Sequence, residues 1–162
     1  MHFSASMQTG RFNASMQVGR LSTSVLIGMA LIVMHGATRA AEHDARLALR
    51  IGPHTFLAEV AATPSRREHG LMGRKQLPAN GGMLFVFEHA APHCFWMRNT
   101  PLPLSIAFID AAGRIANLAD MQAYSDTLHC ADTNVRYALE VALGGFSQRS
   151  IAAGAQVNGL PQ

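Results

Sequence analysis

From residue 46 onward the chain is cut into short apolar or alternating runs, each closed by a turn signal. That rhythm leaves room for strands and for little helix. Residues 46–51 alternate, Gly52-Pro53 turn, and residues 55–62 continue as a second strand. Met83-Leu84-Phe85-Val86-Phe87 is solidly apolar, as expected of a strand covered on both faces. Residues 104–110 alternate, Ala112-Gly113 turn, and residues 114–119 form the partner of a hairpin. Residues 136–143 make a further strand with Glu140 inside an apolar run, residues 146–151 a helical turn, and residues 155–159 a last edge strand. The predicted helix is short. Thr63 is its N-cap, Pro64 sits where a missing N–H costs nothing, residues 65–69 give about one and a half turns, and Gly70 ends it. Seven to nine short strands with one short helix predict a mainly β chain, a single β-sandwich or partly open barrel.

Residues 1–40 read as an address and residues 41–162 as the folded domain. Arg11 and Arg20 precede the ten-residue uncharged run from Val25 to Met34, and Thr38 and Ala40 supply small residues before a cleavage site. This is the pattern of a secretory signal peptide. Ten apolar residues fall short of the roughly 20 that span a bilayer, so no stable membrane span is expected after cleavage. A nine-residue repeat, from Ser4 to Phe12 and again from Asn13 to Leu21, lengthens the leader, and a start at Met16 instead of Met1 leaves a signal of ordinary length. The expected location is periplasmic or secreted.

Cleavage changes the electrostatics. The whole chain carries 13 Lys and Arg against 10 Asp and Glu, but Arg11, Arg20 and Arg39 belong to the leader, and without them the chain holds ten of each. No basic run survives, so nucleic acid is not an expected partner. Cys94 and Cys130 both remain, 36 positions apart, and in an oxidising compartment they are expected to form one disulfide.

Between two strand patterns lies a polar corner, Phe95 to Leu104, containing the single Trp. Trp96, Arg98, Asn99 and Thr100, together with Arg74, offer an aromatic face, guanidinium and amide donors and a hydroxyl, a set suited to a small polar ligand. The same residues also suit a packed bend, with Asn99 and Thr100 satisfying backbone groups and Trp96 filling the core. Glu140, if buried, needs a partner, for which Arg74, Arg98 and Arg114 are candidates; a structural ion pair is preferred over a general acid.

Four ordered blocks identify a resemblance. Gly70-Leu71-Met72-Gly73-Arg74, then Gly82-Met83-Leu84-Phe85-Val86-Phe87, then Phe95-Trp96-Met97-Arg98-Asn99-Thr100-Pro101-Leu102-Pro103-Leu104, then Tyr137-Ala138-Leu139-Glu140-Val141 resemble the family called domain of unknown function 192. The resemblance covers roughly residues 57–157 and implies a mostly β, sandwich-like fold, often behind a signal peptide, with no established activity. Two positions depart from the family pattern: Ser105 stands where an Asp is usual, and Gly154-Ala155 where Gly-Asp is common.

Gly70, Met72, Met83, Met97 and Glu140 are read as structural. The Met and His residues show no copper-site spacing, and no P-loop, dinucleotide-binding, zinc-protease or serine-hydrolase motif occurs, so no metal or cofactor is expected. The function expected is a non-catalytic binding module for a small polar ligand or cell-envelope component. The alternatives are a hydrolase of an envelope sugar or ester, with Glu140 or Asp110 as acid or base, and a structural partner of an envelope protein.

Overall fold

The computed structural model describes residues 46–162; the leader, its repeat and its cleavage site lie outside them. Along the chain come β1 (Leu47–Ile51), β2 (His54–Ala61), α1 (Pro64–His69), β3 (Gly81–Ala91), β4 (Cys94–Phe95), β5 (Leu104–Ile109), β6 (Ile115–Met121), β7 (His129–Cys130), β8 (Val135–Ala142) and β9 (Val157–Asn158). A single 3-10 turn, Ser147–Arg149, lies between the last two strands. The chain is mainly β, as its rhythm predicts. Seven strands form one curled half-barrel sheet in the order β6-β5-β8-β3-β2-β1-β9, and β4 and β7 form a separate two-stranded ribbon.

Every neighbouring pair in the large sheet is antiparallel except β2 and β3, which run parallel. A parallel pair cannot be joined by a tight turn. The crossover is residues 62–80, and α1 is its folded part. Thr63 Oγ1 accepts the Arg66 N–H at 3.3 Å, and Pro64 begins the helix as the sequence predicts. Gly70 ends it with φ +50°, its N–H donating to the Arg66 carbonyl at 2.9 Å. A Cβ at Gly70 would lie 3.2 Å from Phe85 Cζ, so the helix end packs tightly on β3.

The curl of the sheet divides its apolar residues between two cores. The inner one gathers Leu49, Ile51, Phe56, Leu84, Ile109, Leu139 and Val141 among others. The two edges of the sheet approach each other around it: Arg114 bridges to Gln156, and the Ile115 N–H donates to the Ala155 carbonyl at 3.0 Å. The outer core holds Leu71, Met83, Phe85, Met97, Leu104, Ile106, Phe108 and Met121. It is covered by the end of α1, the polar corner and the β4–β7 ribbon.

That ribbon is fastened by the Cys94–Cys130 disulfide, which joins two directly opposed residues and ties the aperiodic stretch before β8 to the corner. No free cysteine occurs among the described residues. None of the helices among those residues is long and apolar enough to cross a membrane.

Candidate functional site

The outer face of the sheet is interrupted by charge. Strand register places Glu59 on β2 opposite Met83 on β3, Met83 opposite Glu140 on β8, and Glu140 opposite Ile106 on β5. Directly opposed residues share a face of a sheet, so both carboxylates lie in one cross-strand row. Both are buried, Glu59 at 5% exposure and Glu140 at 4%. Glu59 is paired with the Arg74 guanidinium in a salt bridge.

Glu140 has no such partner. None of the three arginines proposed for it reaches it: Arg74 holds Glu59, Arg98 pairs with Asp126 at 2.8 Å, and the Arg114 N–H donates to Asp110 at the β5–β6 turn. Among the described residues no hydrogen bond or ion pair to the Glu140 side chain is formed. The expected structural ion pair is therefore not made: the Arg74 and Arg98 guanidinium groups are committed to other acids, and Arg114 lies at the β5–β6 turn, outside the cleft lining. Removal from water without a countercharge disfavours the carboxylate and pushes the Glu140 pKa up to about 8. The carboxyl is thus mostly protonated at neutral pH.

Glu140 opens into a cleft of about 350 Å³ between α1 and the β4–β7 ribbon. Phe85 lies beside it on the sheet. One wall comes from Arg67, Glu68 and His69 of α1 with Leu71 and Met72 just beyond, and the opposite wall from His93, Cys94, Phe95 and Trp96. Phe87 and Thr100 complete the lining, and Leu128 stands with Trp96 at the rim, both substantially exposed. The rings are mutually braced: Phe95 packs edge-on against Phe85 at 4.9 Å, and His93 stacks on Phe87 at 3.5 Å. Burial lowers the His93 pKa, and the nearby Arg67 charge adds to the effect against a hydrogen bond that the His93 ring donates to the His89 carbonyl. Arg67 itself donates to the carbonyls of Ala62 and Val86 and lies over the Phe87 ring at 5.5 Å.

The expected site residues separate in this geometry. Trp96 and Thr100 line the cleft. Arg98 does not; its guanidinium covers the Trp96 ring at 4.4 Å and pairs with Asp126. Asn99 has φ +60° in the turn closed by the Thr100 N–H to the Met97 carbonyl at 3.0 Å, a position that favours Gly or Asn. Its carbonyl accepts the Gly73 N–H at 2.9 Å, so its recorded role is in the backbone of the corner. Arg74 is turned toward Glu59.

Of the residues read as structural, Met83 and Met97 are buried in the outer core, Gly70 caps α1, and Met72 is half-buried at the cleft wall. Ser105, at the position where Asp is usual, donates to Asp120 and accepts the Gly144 N–H at 2.9 Å, away from the cleft lining. No group of three or more His, Cys, Asp or Glu side chains among the described residues is arranged to hold a metal ion.

The aromatic walls were not foreseen, and Glu140 was read as structural, with a site role only in the hydrolase alternative. The available signal was the carboxyl in the apolar run of residues 136–143, together with the solid apolar run ending at Phe87. The resulting cleft is more apolar than the polar site expected from the corner alone.

Comparison with known proteins agrees with this fold. The family model DUF192, described as Uncharacterized ACR, matches residues 47–159. A Sinorhizobium meliloti 1021 protein provisionally described as a transcription regulator superposes with a TM-score of 0.69 at 32% identity, covering 71% of this chain and 94% of its own. A protein of unknown function from Novosphingobium aromaticivorans DSM 12444 superposes with a TM-score of 0.68 at 30% identity, covering 70% of this chain and 84% of its own. None of the curated proteins matches the chain.

Proposed function

We propose that this chain, which belongs to the DUF192 family, is an exported binding module that holds a small molecule in the cleft above Glu140. The observation that carries the reading is the buried carboxyl without a protein partner at the base of an aromatic cleft. An unpaired buried carboxyl costs stability, and nothing in the fold repays it unless a ligand uses the group. The walls supply apolar contact area, and Glu140 supplies one directional polar contact. The ligand class is therefore a compound of the cell envelope or its surroundings with an apolar body and a polar head. Export rests on the leader pattern and suits the Cys94–Cys130 bridge.

The regulator description of the Sinorhizobium protein is not carried over. Without its leader the chain holds equal numbers of basic and acidic residues and no basic run, which does not suit a nucleic-acid surface.

Glu140 also supports a second reading. A carboxyl protonated near neutral pH can serve as a general acid, so an envelope hydrolase using Glu140 is the alternative. Asp110, the other acid considered, is occupied in capping the β5–β6 turn and does not line the cleft.

The test is a thermal-shift panel of sugars, cell-wall fragments, carboxylates and amines on the purified oxidised protein, read in parallel by the fluorescence of its single Trp. A compound that binds only the folded state adds about 2.7 kcal/mol at a hundredfold excess over its Kd. The reading predicts a shift that Glu140→Gln or Trp96→Ala weakens. A panel without any shift contradicts it and leaves the structural-partner alternative. Turnover of a panel compound, lost in Glu140→Gln, would establish the hydrolase.

A further inference from the structure

We propose that the cleft takes an organic cation, an ammonium group on an aromatic or aliphatic body, with the Glu140 carboxylate as its counterion and the surrounding rings as its walls. The inference rests on reading the cleft as a binding site and names the chemistry of its occupant.

Three observations point to a cation. The carboxyl is nine-tenths buried or more and faces the cleft, while Arg74 and Arg98 are held by other acids and Arg114 is not among the residues that line the cleft, so Glu140 has no ion pair among the described residues. The lining carries Phe85, Phe87, Phe95 and Trp96, whose ring faces attract positive charge. Two of those rings already hold guanidinium groups, Arg67 over Phe87 at 5.5 Å and Arg98 over Trp96 at 4.4 Å. An aromatic enclosure with one acid at its base is a setting in which ammonium ions bind in water-excluded sites.

The charges facing the site fit one added positive charge. On the α1 wall Arg67 and Glu68 carry opposite signs, and Arg67 is tied to the carbonyls of Ala62 and Val86. His69 lies on the same wall, and His93 opposite is biased toward its neutral form. On the sheet, Glu59 is neutralised by Arg74, and the strand partners of Glu140, Met83 and Ile106, carry no charge. Binding then exchanges one positive charge for another. The ammonium group enters, the Glu140 proton leaves to solvent, and the carboxylate that remains is paired.

The experiment compares three molecules of nearly one shape on the full chain: phenethylammonium, 2-phenylethanol and phenylacetate. Titration calorimetry at pH 7 in phosphate and in Tris reads affinity and proton release, and Trp96 fluorescence reads occupancy of the rim. The expected result is binding of phenethylammonium at least about tenfold tighter than of the alcohol, with release of close to one proton. Glu140→Gln should remove both the preference and the proton release while circular dichroism shows an intact fold. Equal affinity for the alcohol overturns the cation while leaving the cleft as a binding site. Preference for phenylacetate overturns it by sign. Absence of binding by all three overturns the cation inference, and the broader thermal-shift panel then decides separately whether the cleft binds anything.

Discussion

Glu59 and Glu140 lie in the same cross-strand row, on either side of Met83, and are buried to nearly the same degree. Glu59 sits on β2, one strand from the crossover, where Arg74 reaches it from the loop beyond α1. Glu140 sits on β8, between β3 and β5 in the middle of the sheet, beneath a roof of aromatic side chains. The first carboxylate has a guanidinium partner. The second is driven toward its neutral form, because the elements packed over it bring rings where the neighbouring elements bring a guanidinium. Equal burial thus accompanies an ion pair at one position and a carboxyl without a countercharge at the other.

The largest effect should come from erasing the odd member of the pair. In the unfolded chain Glu140 titrates near its ordinary value of 4.5, and in the folded chain near 8. Below pH 4.5 both states hold the proton and burial carries no ionisation cost. Between these values the unfolded chain gives up its proton and the folded chain does not, so stability falls as pH rises. Glu140→Gln should therefore change stability little at pH 4 and raise it at pH 8, by no more than about 5 kcal/mol at roughly 1.4 kcal/mol per pKa unit. Urea unfolding at both pH values checks this; a gap that does not grow with pH would mean that Glu140 is paired.

Opening the roof should have the next largest effect. Replacing Cys94 and Cys130 by Ser releases the ribbon that carries the aromatic wall, at a cost of up to about 4 kcal/mol from the 36-residue loop. Water admitted to the cleft should also lower the Glu140 pKa and flatten the pH dependence of stability. Denaturant melts of the double variant across the same pH range would show a smaller slope than the parent; an unchanged slope would place the desolvation elsewhere.

A smaller change should make the two carboxylates alike. Arg74→Met leaves Glu59 buried without its partner, which should cost about 2 kcal/mol, below the range for fully buried pairs because the Arg74 side chain is 37% exposed. The variant should unfold at a lower temperature than the parent. Asp126→Asn, which breaks only the exposed pair with Arg98, should cost under about 1 kcal/mol and leave the pH profile alone. Thermal melts at two pH values separate these outcomes.

Much of the fold was legible because its signals are local. The alternation of residues 46–51, 55–62, 104–110 and 114–119 maps onto β1, β2, β5 and β6 within a few residues, and Thr63, Pro64 and Gly70 bound α1 as expected. The β4–β7 ribbon was not legible as strands, since two residues on each side cannot show a period. The parallel pairing of β2 with β3 was also hidden, because it depends on where the crossover lands. The site was half legible. The corner supplied Trp96 and Thr100, and its Asn99 was open to the backbone role it has. That Glu140 lacks a partner could not be read, because three arginines were equally available along the chain and only tertiary packing assigns Arg74 and Arg98 to other acids.

The central claim concerns the protonation of one group, and it can be measured directly. Carbon NMR of the glutamate side-chain carboxyls, assigned by Glu140→Gln and Glu59→Gln, follows each group through a pH titration of the folded protein. The account predicts a Glu140 carboxyl that keeps its proton through neutral pH and titrates near 8. A Glu140 that titrates in the ordinary carboxylate range would contradict it, because the group would then have a countercharge or solvent that the buried, unpaired geometry excludes.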